Sequence, residues 1–509
     1  MTPPTSTSAA SQPSADGGLR AKLKTAVLAP VLAFRLSYLP LLMVYFAYGA
    51  LGLIAVGESF WVKKALTLTP AALAQLGVWL TLPWAIKMVF GELVDTVAIL
   101  GSRRRVYVFI GAGMIAGALV MLAGAAGGWI TFASLDRIYI IASLLMVTGT
   151  VLQDVVADAM STEVVQRINE DGTPRAQADI DHDLGMVQVL GRLSLSLGVF
   201  LTAGLAGWLA QTTSYENVFL IGLVVPALSA SGAILVKLES GESRPTDWPI
   251  LSAGLTFGML VTALLAADVA FAQEIVFIIS MTVISAMLYH VTRDLASETR
   301  MRIFYAAIII FAFRAVPGVG EGYRWFMIDV LGFDASFFGV LGQTGAAIGL
   351  GATWLLSDTI TRRPITSVLL ILTVLGGLMS LPDLVLVFGG YEWTQAHLGF
   401  GARTIALIDT AAQSPLAQLS MIPLLTLIAI YAPPSKRALW FALMASFMNL
   451  ALVAGQLQTK YLNEWFVVDR GAYEWLPYLV TTVVILSVAV PLGTIALFAR
   501  KVHHAAAQP

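Results

Sequence analysis

PWAIKMVFGELVDTVAILGSRRRVY, residues 83–107, joins two properties that exclude each other in most proteins. It is apolar enough to lie in lipid, yet Lys87 and Glu92 sit inside it, Asp95 follows, and Arg103, Arg104 and Arg105 come within ten residues of that aspartate. A charge at the centre of a membrane helix costs about 2.5–3.5 kcal/mol, so a chain that keeps several there must pair them or turn them toward water.

The rest of the chain sets this stretch in context. Of 509 residues, 58% are hydrophobic and 12% charged, against about 25% charged in soluble domains. Most of the protein is therefore expected in lipid. The absence of cysteine excludes a disulfide framework and cysteine metal sites. A near-neutral net charge of -1 gives no footprint for nucleic acid. No lysine of a phosphate-binding loop follows a glycine, and no His-Glu-x-x-His or comparable metal cluster occurs, so no cofactor is expected and any transport must draw on gradients.

Fourteen apolar segments of spanning length run from 37–59 to 475–498. With the N-terminus inside, twenty of the thirty basic residues fall on the side of the termini and seven on the other. The positive-inside rule then places both termini in the cytoplasm of a cell (inner) membrane. Lys87, Arg192 and Arg314 remain within the membrane.

A shift of 265 positions aligns Phe46-Ala47 with Phe311-Ala312, Gly57 with Gly322, Leu66 with Leu331, and Leu76-Gly77 with Leu341-Gly342. With a two-residue gap, Asp95 meets Asp358, each followed by a basic cluster, Arg103 to Arg105 in one half and Arg362-Arg363 in the other. The division expected is a disordered or interfacial tail (1–36), a six-helix half (37–238), an inserted helix pair (239–302), a second six-helix half (303–498) and a short tail (499–509). Two parallel halves give an all-α membrane protein of the major facilitator fold with 14 transmembrane helices.

GELVD at 91–95 followed by GSRRR is similar to the major facilitator signature between helices 2 and 3, although five residues, Thr96 to Leu100, lengthen the usual spacing. Together with Pro-Trp-x-Ile-Lys, LQDVVADA at 152–159, FRAVPG at 313–318, LGFDASFFGVL at 331–341 and PPSKRALWFALMASFMN at 433–449, it resembles the folate-biopterin transporter family of that superfamily. The resemblance implies a secondary transporter of a folate-like or pteridine anion, coupled to protons, working as a monomer in the bilayer by alternating access. Muropeptide permeases share the Arg-Arg-Arg loop and a Gln-Asp-x-x-x-Asp-Ala like Gln153 to Ala159, and pigment-complex assembly factors share the fold, so both remain alternatives.

The substrate-binding or coupling candidates are Lys87, Asp154, Asp158, Arg192, Arg314, Asp409 and Gln413. Asp158 is read as the most structural of them, able to pair with the Arg103 to Arg105 loop, and Arg314 is expected to face Asp409. The gating candidates are Gly91, Asp95, Arg103, Arg104, Arg105, Pro317, Asp358, Arg362 and Arg363. Pro317 and the glycines that follow it are expected to break a spanning helix near its outer end.

Because the chain has no native cysteine, its topology is directly testable. Single cysteines at Ser102, Ser161 and Ser435 should label only from the cytoplasmic side, and those at Thr67 and Asn463 only from outside; outside labelling at Ser435 would break the fourteen-helix reading.

Overall fold

A computed structural model describes residues 34–102, 104–169, 171–235, 246–267, 269–361, 365–420, 424, 428 and 437–503. The helices of the first half are α1 (Leu39–Ala50), α2 (Gly52–Ala65), α3 (Pro70–Ala85), α4 (Lys87–Thr96), α5 (Arg105–Gly127), α6 (Leu135–Glu163), α7 (Gln177–Thr212), α8 (Tyr215–Gly222) and α9 (Val224–Leu235). The inserted pair is α10 (Trp248–Ala266) and α11 (Ala272–Thr292). The second half comprises α12 (Ser297–Arg314), α13 (Glu321–Asp329), α14 (Ala335–Thr361), α15 (Ile365–Met379), α16 (Leu381–Val387), α17 (Gly390–Leu398), α18 (Ala402–Leu419), α19 (Arg437–Trp465) and α20 (Leu476–His503).

Several helices join end to end, and twelve described segments are long and apolar enough to cross a membrane. Two of the fourteen expected spans are not among these twelve described segments. The segment at 303–320 is divided, because α12 stops at Arg314 and carries Glu298, Arg300 and Arg302 in its first turns. The segment at 402–430 begins as α18, which bears Arg403, Asp409, Gln413 and Pro415, and runs on into residues outside those described.

The internal repeat is visible in the helix boundaries. Thr69 caps α3 by accepting from the amide of Ala72 (3.2 Å), and Asp334, 265 positions on, caps α14 by accepting from Phe337 (2.8 Å). Arg403 also donates to Asp334 at 2.7 Å. These bonds to the ionised form hold its carboxyl below the usual carboxylate range. The interruption between α1 and α2 falls at Leu51 and that between α12 and α13 at 315–320, again the same register.

Two seams join the halves: α3 packs against α19, and α7 against α14. At the second seam Gly207 and Gly339 bring the backbones so close that a Cβ on Gly207 would lie 2.7 Å from the Gly339 Cα. That approach admits only glycine.

Unwound backbone in a membrane needs partners from the protein itself. Here α19 supplies them for both broken helices. Gln458 Nε2 donates to the Ala315 carbonyl (2.5 Å), Thr459 Oγ1 accepts from the Gly318 amide (2.9 Å), and Asn463 Nδ2 donates to the Val319 carbonyl (3.0 Å). Farther along the same helix, Asn449 Nδ2 donates to the carbonyl of Trp84 (2.9 Å), where Pro83 and the turn at Ile86 divide α3 from α4.

On the face opposite the termini the halves are locked. Lys63 bonds Asp329 at 2.5 Å. Arg470 donates to the carbonyls of Val62, Lys63 and Leu68, which closes the end of α2, and lies 4.1 Å from the centre of the Trp325 ring. Among the described residues, every ion pair between the halves is on this face.

Two of the labelling positions, Ser161 and Asn463, are buried at 1% and 4% exposure, so the topology test is best read at exposed Thr67 and half-buried Ser102. The role of α19 gives a second test. Asn449→Leu and Asn463→Leu each strand a backbone carbonyl, and each should cost about 1–3 kcal/mol in unfolding experiments in detergent. The two positions are fourteen residues apart, roughly 21 Å along the helix, so the double variant should show additive losses within about 0.5 kcal/mol.

Candidate functional site

The break at Ile86 makes Lys87 the first residue of α4 and turns its side chain toward α6. Asp154 and Asp158 are four apart on one face of α6, so one ammonium reaches both. Lys87 Nζ donates to Asp154, and to Asp158 at 2.6 Å. Tyr45 of α1 donates to the other oxygen of Asp158 at 2.7 Å. The Asp154 side chain is 11% exposed and that of Asp158 is 49%, so one end of the cluster is sealed and the other open. Beside it, Tyr48 stacks on Trp84 at 5.8 Å. Arg192 of α7 is exposed, and its positive field reaches Tyr45, Tyr48 and Asp154.

Asp158 therefore does not pair with the basic loop as expected. Arg104 is taken up elsewhere: it donates to Asp95 (2.9 Å), to both oxygens of Glu163 (2.6 and 3.0 Å) and to the Val94 carbonyl (2.7 Å). Burial opposes the charge on Arg104, yet the bonds to Glu163 and Asp95 outweigh it and raise its pKa above the ordinary arginine value. The lengthened stretch after Asp95 makes this possible: Ile99 and Ser102 close a tight turn in which Leu100 and Gly101 have φ of 50° and 77°, and Ser102 accepts from the amides of Arg104 and Arg105.

The other gating candidates are placed less fully. Arg105 is exposed and lies 5.7 Å over the Phe109 ring. A Cβ on Gly91 would meet nothing within 4 Å, so packing does not require glycine there. Pro317 lies in the expected break. Arg103, Arg362 and Arg363 lie outside the described residues, and of Asp358 only its place in α14 is described.

The second half holds a different cluster. Gln413 Nε2 donates to Asp409 (2.5 Å), one turn back on α18, and to Asp383 (3.1 Å) of α16. Tyr323 of α13 donates to the remaining Asp383 oxygen at 2.7 Å. Two carboxylates thus share one amide group, and among the described residues neither forms an ion pair. The expected juxtaposition of Arg314 and Asp409 is absent among the described ion pairs. Arg314 ends α12, whereas Pro382 and the restart of the chain at α16 carry Asp383 up to Asp409 instead.

Sequence reasoning passed over Asp383, Tyr323, Tyr45 and the Glu58–Tyr139 bond (3.1 Å). Asp383 had a signal, a lone acid beside a proline inside an apolar span; the tyrosines had none. Gln153, prominent in LQDVVADA, donates to the Val108 carbonyl and to Ser229 (2.9 Å each), and so holds α5, α6 and α9 together.

The model of the BT1 family matches residues 49–507. The folate-biopterin transporter of Synechocystis sp. is 26% identical over 465 residues, covering 90% of this chain and 81% of its own. The probable folate-biopterin transporter 4 of Arabidopsis thaliana is 23% identical over 473 residues, covering 87% and 91%. A solved POT family transporter in complex with a thioalcohol-conjugated peptide aligns with a TM-score of 0.65 at 13% identity, covering 92% of this chain and 96% of that one. The fold is that of the major facilitators.

The Lys87 cluster yields a charge-balance test. Lys87→Met leaves two carboxylates facing each other and should cost about 2 kcal/mol, less than the roughly 3–5 kcal/mol of a fully buried pair because Asp158 keeps access to water. Lys87→Met/Asp154→Asn should recover most of that loss in thermal unfolding. A double variant as unstable as the single one would show that the two groups do not compensate each other.

Proposed function

The chain belongs to the BT1 family, and from that premise we propose a secondary transporter that moves a folate or related pteridine anion together with protons. That it is an integral membrane transporter and not an enzyme follows from the family, its curated relatives and the fold. The names of the relatives support the cargo. The chemistry of the two clusters agrees with it: Lys87, Arg192 and Arg314 are the cations that the sequence places within the membrane to meet substrate carboxylates, and the half-exposed Asp158 carboxylate can accept from the amino and ring N–H groups of a pterin.

The observation that carries the coupling is the Asp383–Gln413–Asp409 bridge. Two like charges that close repel, and one proton held by the pair relieves the repulsion. Protonation would also release Tyr323 and Gln413 from their acceptors, which gives α13 and α18 freedom to move. In this reading residues 37–238 and 303–498 rock as two bodies about the α3–α19 and α7–α14 seams. The face locked by Lys63 and Arg470 is then the external one, and both termini lie in the cytoplasm at the inner membrane. Asp95, Asp358 and the basic clusters after them serve the cytoplasmic gate; in the present conformation Asp95 is bonded by Arg104.

The test is uptake by the purified monomer in vesicles under an imposed proton gradient. The wild type should accumulate a folate or pterin, and a protonophore should abolish the accumulation. Asp409→Asn should lose gradient-driven accumulation while keeping exchange of labelled for unlabelled substrate. Uptake indifferent to pH and protonophore would remove the coupling. Saturable muropeptide flux without folate flux would reassign the cargo, and a stable membrane partner with no flux of either would favour an assembly factor.

A further inference from the structure

The inserted pair leaves a groove that the transport reading does not use. Both α11 and α12 pack on α19, and between them runs a cavity of about 440 Å3 floored by Phe447 and its neighbours on that helix. The groove has a charged end and an apolar body. At the end nearer the termini lies Arg300, whose guanidinium sits 5.7 Å from the centre of the Tyr289 ring. Below it the walls are Phe304, Ala307 and Phe311 of α12, facing Met281 and Leu288 of α11.

The charges around the mouth differ in availability. Arg302 bonds Glu298 within its own helix, and Arg293 lies 3.6 Å from Asp294. Arg300 has no carboxylate partner among the described residues. Among the described residues its guanidinium lies against the Tyr289 ring. An arginine and a tyrosine at the end of a membrane helix stand at headgroup level. Phe311 is eleven residues deeper, about 16 Å along the helix. That is half of the roughly 30 Å hydrocarbon thickness, so the groove spans one leaflet.

From this arrangement we infer that the groove between α11 and α12 holds one anionic phospholipid, with its phosphate on Arg300 and one acyl chain along Phe304, Ala307 and Phe311. A guanidinium matches a phosphate in charge and geometry, and an apolar groove open to the bilayer takes a lipid chain without exposing polar backbone. The second helix of the inserted pair then has a function of its own: with a lipid between α11 and α12, both are held on α19, the helix that supports both breaks.

Native mass spectrometry of the full chain, purified in detergent and supplied with phosphatidylglycerol or phosphatidylcholine of identical chains, tests the assignment. The wild type should retain one phosphatidylglycerol in preference to phosphatidylcholine. Arg300→Gln should reduce that retention at least tenfold. Ala307→Phe, which fills the groove and leaves the charge, should reduce it similarly, with Ala307→Leu as the smaller replacement if the phenylalanine variant does not fold. Arg293→Gln, outside the groove, should bind as the wild type does. Equal losses from Arg300→Gln and Arg293→Gln would mean diffuse surface charge and overturn the site. Full retention by a folded Ala307 variant, or no retained phospholipid on the wild type, would overturn it as well.

Discussion

In a bilayer a helix cannot be interrupted unless something replaces the hydrogen bonds it gives up. This structure interrupts two helical segments, at Ile86 and at 315–320, and supports both from one helix. Four side chains of α19, Asn449, Gln458, Thr459 and Asn463, receive the freed backbone groups. Gly455 allows the approach, since a Cβ there would lie 2.7 Å from the Val316 carbonyl oxygen. The breaks in turn set Lys87 at a helix start and Arg314 at a helix end, so the placement of both cations depends on that support. Any tilt of α19 bears on both breaks at once, which gives the two halves a mechanical link as well as a seam.

The two halves repeat a fold and diverge in chemistry. In the first, a lysine bonds two aspartates, with a tyrosine attached and an arginine nearby to complete the charge balance; in the second, two aspartates and a tyrosine gather around a glutamine without an ion pair among the described residues. A duplicated scaffold that carries a balanced cluster on one side and an acidic one on the other can present different charge to the two ends of one solute. It can also change its own charge in only one half. Under the proposed function, that asymmetry and not the shared fold would suit an anion bearing both carboxylates and pterin N–H donors.

Much of the architecture was legible before any coordinates. The repeat register at 265 positions reappears as matched helix caps at Thr69 and Asp334 and matched interruptions at Leu51 and 315–320. Pro317 and its glycines marked the second break because proline lacks a donor and glycine tolerates unwinding. The family read from GELVD and GSRRR together with motifs such as LQDVVADA and LGFDASFFGVL agrees with the BT1 family match. Pairing was much less legible. Asp158 turned to Lys87 and Tyr45, Arg104 to Asp95 and Glu163, and Asp409 toward Asp383 by way of Gln413.

The sequence by itself determined what the solvent dictates: an all-α membrane protein, its internal repeat, the helix break at Pro317, and which charges lie too deep to be solvated by water. Composition, proline, glycine and charge spacing are local properties, and lipid acts on each of them locally. Only the tertiary structure decided which charge meets which and where, among the described residues, an ion pair joins the halves. The reason is that these helices are apolar nearly all round, since lipid and protein interior are equally nonpolar. No amphipathic stripe then fixes a helix's rotation about its axis, and the side of the helix from which a buried charge emerges is set by its neighbours, through contacts such as Gly207 on Gly339 and Asn449 on Trp84.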